Sequence, residues 1–140
     1  VVELTDRLLE ELRGGKYRFV VMNIANPDMV GHTGIMPAAV SAVEATDAAL
    51  GRIMSVVEEK KGVMVLTADH GNCEIMFDPA TGQAHTAHTT SPVPLAVFDP
   101  EHRWSGMESG GALENVAPTI LEIFGIAKPE EMTAQSLLRP

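Results

Sequence analysis

The sequence predicts an α/β fold, a mostly parallel sheet with helices on both faces. Helical and strand-like stretches alternate along the chain, the order that builds such sheets. Acidic and imidazole side chains gather in loops that directly follow apolar runs, and open α/β sheets bind ligands at that edge. The length, 140 residues with 45% hydrophobic composition, suffices for one domain, or part of one, with a core of its own.

Taken in order, Leu4, Leu8 and Leu12 recur at helical spacing with charged residues between them, and Gly14-Gly15 is a stop signal. This gives a first helix over about residues 2–13. Tyr17–Asn23 is nearly all apolar up to its end and reads as a strand covered on both faces. Asn23–Gly34 follows as a polar loop. Pro37 opens a second helix that runs to about Glu59, with Val40, Val43, Leu50, Ile53, Met54 and Val57 as its apolar stripe and Gly62 as its stop. Val63–Thr67 is a second strand, Glu74–Phe77 a short one, and Asp78-Pro79-Ala80-Thr81-Gly82 a turn. Leu95–Phe98, led in by Pro92 and Pro94, is a third core strand. Asp99–Gly111 reads as loop, Glu114–Phe124 as a helix closed by Gly125, and the polar tail carries an apolar anchor at Leu137-Leu138.

Ten basic against 19 acidic residues give a net charge of −9. Without a basic stripe, such a chain suits neither nucleic acid nor an anionic membrane surface. No apolar run approaches the roughly 20 residues of a membrane span. A single cysteine, Cys73, cannot form an internal disulfide, so a reducing cytoplasm is the expected location. The opening Val1-Val2, without methionine, is expected of a piece of a longer protein, a processed start being the alternative.

Three stretches carry the chemistry. Asp28 and His32 lie four apart in the first loop, Asp69 and His70 are adjacent after the second strand, and His85 and His88 are three apart in His85-Thr86-Ala87-His88-Thr89-Thr90. Mixed carboxylate and imidazole donors suit manganese, zinc or iron better than calcium, and no cysteine spacing marks a structural zinc. Four of the five histidines and two strand-end aspartates therefore point to one metal-binding region assembled from three loops. The fifth, His102, is expected to be exposed, Cys73 to be a small buried filler, and Asp47 to lie at the exposed edge of its helix. A two-metal phosphoryl-transfer centre also needs a nucleophile and basic clamps. The loops offer neither: Ser41 lies in a helix, Ser91 precedes a proline, and Arg13, Arg52, Arg103 and Arg139 lie elsewhere. By its residues alone this is half an active site.

Those three motifs, Asn26-Pro27-Asp28-Met29-Val30-Gly31-His32-Thr33-Gly34, Thr67-Ala68-Asp69-His70-Gly71-Asn72 and His85–Thr90 with Pro92-Val93-Pro94, make nearly the whole chain resemble the carboxyl-terminal part of cofactor-independent (2,3-bisphosphoglycerate-independent) phosphoglycerate mutases, a family of the alkaline phosphatase superfamily. Glu131-Met132-Thr133 also fits, whereas Ala134-Gln135 departs from the expected Gly-Lys. The resemblance implies an alkaline-phosphatase-like fold present as a fragment. Residues 1–140 would form the carboxyl-terminal part of the metal-binding phosphatase-like domain, without the amino-terminal segment and the inserted phosphotransferase domain. It implies two Mn2+ ions in the parent, one held by Asp28, His32 and His88 and the other by Asp69 and His70, with His85 behind the ligands or near substrate. It further implies 2-phosphoglycerate and 3-phosphoglycerate as substrates, interconverted through a phosphoserine whose serine lies outside these residues, and a cytoplasmic, monomeric parent. Another superfamily enzyme, such as a phosphopentomutase or phosphatase, and a non-catalytic metal-binding module are the alternatives.

Overall fold

A computed structural model describes residues 1–140. The first helix, α1 (Val2–Gly14), ends where Gly15 takes a left-handed conformation (φ 66°) and donates its N–H to Leu12. Its buried residues are Thr5 and Leu9, with Leu8 and Leu12 at the flanks, whereas Leu4 is half exposed. A short helix, α2 (Asn26–Gly31), occupies the expected polar loop, with Pro27 in its first turn where a missing N–H costs nothing. The long helix α3 (Met36–Glu59) again carries its proline in the first turn. It ends with Lys61 in the left-handed region (φ 53°), while Gly62 donates to the carbonyl of Val57 at 2.8 Å. The capping position expected of Gly62 thus falls to the lysine before it.

The buried face of α3 is also rotated from the expected stripe. Ala39, Ala42, Ala49, Ile53, Val56 and Val57 are buried, while Val40 and Val43 are 46% exposed. α2 packs against α3, and small side chains such as alanine let two helix backbones approach closely. Leu9 of α1 with Ile53, Val56 and Val57 of α3 forms the main core cluster, and Met22, Met64 and Phe98 pack against it. Arg52 bonds Asp6 at 2.5 Å and Lys60 bonds the carbonyl of Arg13 at 2.9 Å, fastening the same two helices at their rims.

β1 (Met64–Thr67) and β4 (Leu95–Phe98) stand where expected, and the registered pair Met64↔Phe98 turns one face of the ladder toward α1 and α3. The pairing itself corrects the expectation of a mostly parallel sheet. β1–β4, the hairpin β2 (Phe77–Asp78)–β3 (Gln83–Ala84), and β5 (Gly106–Met107)–β6 (Leu138–Arg139) are each two-stranded and antiparallel. Parallel neighbours need a crossover, usually a helix. Residues 68–94 supply only the hairpin and irregular segments, so the chain comes back along β1 in the reverse direction.

Tyr17–Asn23 is the second correction, for it joins no ladder. Val21 is 80% exposed and Phe19 54%, although Phe19 meets Phe124 edge to face at 5.7 Å. Apolar composition reports a preference for burial, whereas a strand exists only beside a partner backbone. A 3-10 turn (Leu113–Asn115) leads into α4 (Val116–Ile123), which Gly125 closes with φ 64°. Thr119, fully buried, donates to the carbonyl of Asn115 and accepts the N–H of Leu137, tying the tail to α4. No helix is long and apolar enough to cross a membrane.

Candidate metal centre

α2 places the first two donors. Residues four apart share one face of a helix, and Asp28 in the first turn and His32 at the C-terminal cap meet with Oδ1 and Nε2 3.2 Å apart. His88, in the segment before β4, brings its Nε2 to 3.1 Å from the same Oδ1 and 3.0 Å from His32 Nε2. Three donor atoms thus form a nearly equilateral triangle. Transition-metal bonds to N and O of about 2.1 Å put neighbouring ligand atoms about 3.0 Å apart at right angles and about 3.4 Å apart in a tetrahedron. The triangle fits a cation of this kind in donor type and spacing.

The tautomer of His32 agrees with that fit. Its Nδ1 lies 2.7 Å from the carbonyl of Thr86, an atom that can only accept, so Nδ1 carries the proton and the lone pair of the neutral ring is on Nε2. Metal-ligating histidines are held in this way. His70 follows the same logic more loosely, with Nδ1 3.3 Å from the carbonyl of Gly71. Its ring stacks on His88 with centroids 3.6 Å apart, and Asp28, His70 and His88 each offer a donor within 4.8 Å of the others. Asp69 stands beside them with its side chain 86% exposed and its Oδ1 3.6 Å from His70 Nε2.

The structure therefore gathers Asp28, His32, His70 and His88, keeps Asp69 at their rim, and leaves His85 without a hydrogen bond to any of them. His85 sits beside the β2–β3 hairpin, bonding Met76 through its backbone N–H, and its Nδ1 is buried without a partner. His102 and Asp47 are exposed. Cys73 is partly buried and its thiol donates to the carbonyl of Pro27 at 2.9 Å. Burial, then the charges of Glu74 and Asp28, push that thiol above its ordinary pKa, which lowers its share of reactive thiolate.

Asn72 of the second motif and Glu74, two residues after it, carry more of the site than their sequence positions announce. Asn72, buried, donates from Nδ2 to Asp28 Oδ1 at 2.8 Å. That bond is the main cause that, against partial burial, holds the Asp28 carboxyl below its ordinary pKa. Glu74 accepts the hydroxyl of Thr89, while the N–H of Thr89 bonds the carbonyl of Gly71 at 2.9 Å. The hydroxyl of Thr89 is the main cause that keeps the Glu74 carboxyl low. The second and third motifs are thus joined to each other beside the donors. A Cβ at Gly71 would lie 2.9 Å from Glu74 Cδ and closer still to Thr89 Oγ1, so only glycine permits this junction. Asn72 stood in the ligand loop with no signal of its own, and Glu74 read only as part of a short strand.

Donors from α2, from the loop after β1 and from the segment before β4 meet on one frame, which defines the class as a mixed helix-and-strand protein with a candidate metal centre. The chain belongs to the metalloenzyme superfamily, whose family model matches residues 1–128. It is 47% identical over 97% of its length to 2,3-bisphosphoglycerate-independent phosphoglycerate mutase of Rhodopirellula baltica, and 53% identical over 97% to 2,3-bisphosphoglycerate-independent phosphoglycerate mutase 2 of Methanosarcina barkeri. It covers 25% and 26% of those two proteins, so it spans about a quarter of the length of the curated relatives it matches. A crystal structure of Leishmania mexicana phosphoglycerate mutase at low cobalt concentration matches 98% of this chain, and 28% of its own, with a TM-score of 0.87 at 32% identity. The alkaline-phosphatase-like expectation for the fold is met by that match.

Proposed function

We propose that this chain is the metal-holding, carboxyl-terminal part of the phosphatase-like domain of a 2,3-bisphosphoglycerate-independent phosphoglycerate mutase. The whole protein would be an isomerase that interconverts 3-phosphoglycerate and 2-phosphoglycerate in glycolysis through a phosphoserine intermediate. The observation that carries this reading is the Asp28–His32–His88 triangle, with donor atoms 3.0 to 3.2 Å apart, in a chain this similar to such mutases. Asp28, His32 and His88 would hold one cation, and Asp69 with His70 would contribute to a second, with manganese as the ion of the working enzyme. Cations bound there would supply charge neutralisation for a transferring phosphoryl group.

The chain's own residues prepare that setting. Thr86 keeps the His32 lone pair facing Asp28. The junction of Gly71, Glu74 and Thr89 holds the loops of His70 and His88 at a fixed spacing. The serine nucleophile and basic substrate clamp would come from the inserted domain and amino-terminal segment of the full-length protein, so the 140 residues alone would turn over no substrate. The parent would act as a cytoplasmic monomer on free phosphoglycerates.

Calorimetric titration with manganese tests the ligand assignment on this chain, with Asp28→Ala and His70→Ala beside the unaltered protein. One site that persists in His70→Ala and disappears in Asp28→Ala is the expected result. Binding unchanged by Asp28→Ala overturns the assignment, and mutase turnover by the 140 residues alone overturns the division of labour.

A further inference from the structure

We propose that Asn72 is a positioning residue that aims a single oxygen of Asp28 at the metal site. The inference rests on reading Asp28, His32 and His88 as ligands. Asn72 follows Gly71 at the end of the β1 loop and is 7% exposed. Its Nδ2 lies 2.8 Å from Asp28 Oδ1, 3.4 Å from the backbone carbonyl of Asp28, and 3.5 Å from His32 Nε2. The orientation of the amide follows from chemistry, because the reverse assignment would set two acceptor oxygens against each other.

Three features separate this from ordinary packing. The contacts of Asp28 with Asn72, His32 and His88 all converge on Oδ1, so the amide restrains the same atom that faces the imidazoles. The other end of the amide, Oδ1 of Asn72, is buried without a partner, a cost a purely space-filling residue would avoid by being apolar. Gly31 of α2 then leaves the space that the amide occupies, since a Cβ there would lie 2.8 Å from Asn72 Cγ and nearer still to its oxygen. Without the donated N–H, the carboxylate can rotate and offer both oxygens or neither.

The test is a titration of the 140-residue chain with Co2+ alone, followed by visible absorption, for the unaltered protein, Asn72→Ala, Asn72→Leu and Asp28→Ala. Asn72→Leu fills the space without a donor. Both Asn72 variants are expected to weaken cobalt binding about 10- to 100-fold and to change the intensity of the cobalt bands, while circular dichroism shows a retained fold. Cobalt binding by Asn72→Leu with the affinity and spectrum of the unaltered protein overturns the positioning role. Unchanged binding in Asp28→Ala instead overturns the underlying ligand reading. If the Asn72 variants do not fold, the unaltered chain decides. With zinc bound, the side-chain amide protons of Asn72 should exchange slowly with solvent by NMR, and exchange at the rate of a free amide overturns the inference.

Discussion

Substituting Gly31 by alanine pits helix propensity against packing, and the two predict opposite signs. Gly31 is the last residue of α2, where alanine would by propensity add at most about 1 kcal/mol of stability. The structure opposes this, because the new methyl would lie 2.8 Å from Asn72 Cγ and 3.0 Å from Cys73 Sγ. Over-packing of this kind costs about 1–3 kcal/mol, and losing a hydrogen bond to a charged group about 1.5–3 kcal/mol. Set against the propensity gain, Gly31→Ala should destabilise the chain by about 1.5–5 kcal/mol. Gly51 supplies the control, since it lies inside α3 with nothing within 4 Å of an added Cβ. Gly51→Ala should stabilise by about 0.5–1 kcal/mol. At roughly 3 °C per kcal/mol for a chain of this size, thermal unfolding followed by circular dichroism in chelator should show one variant about 5–15 °C below the unaltered protein and the other about 2–3 °C above it. Gly31→Ala melting above the unaltered protein would refute the close seating of Asn72 against α2.

Leu9→Ala, at a site 5% exposed in the main core cluster, should cost about 2–3 kcal/mol in urea unfolding, whereas Leu4→Ala, 49% exposed, should stay within about 0.5 kcal/mol; equal losses would contradict the observed helix face. Thr119→Val removes the acceptor for the Leu137 N–H, so that amide should exchange with solvent faster by NMR, at a cost of about 1–3 kcal/mol. Lys61→Gly relieves a left-handed lysine (φ 53°), and the strain there, about 1–2 kcal/mol, exceeds the entropy that glycine loses. A gain of about 0.5–1 kcal/mol in urea midpoint stability is expected, and a loss would show that the lysine side chain contributes more than its backbone costs.

The sequence carried the elements better than their assembly. Proline in a first turn and glycine past a helix end are local signals, so the extents of α1, α3 and α4 and the stop at Gly125 were legible. β1 and β4 were legible because each is a short apolar run between turn residues. Their antiparallel pairing was not, because direction depends on what lies between them, and residues 68–94 contain no crossover helix. The rotated face of α3 was hidden for a related reason: hydrophobicity ranks valine above alanine, whereas closely packed helix backbones favour small side chains such as the buried Ala39 and Ala42. Among the site residues, charge and ring chemistry made Asp28, His32, His70 and His88 visible. Asn72 and Glu74 act through other side chains, and a role of that kind exists only in three dimensions.

The exposed stretch from Tyr17 to Val21 has a colloidal consequence. Tyr17, Phe19, Val20 and Val21 present a run of apolar surface to water, and contiguous surface of this sort is where copies of a chain adhere. What opposes adhesion is the net charge of −9, which acts between molecules only across the Debye length. That length shrinks from about 30 Å at 0.01 M salt to about 8 Å at 0.15 M, while excluded salts such as sulfate strengthen apolar contact. Ionic strength therefore governs how well solutions of this chain stay dispersed, and dilute buffer is the condition in which its charge protects it best.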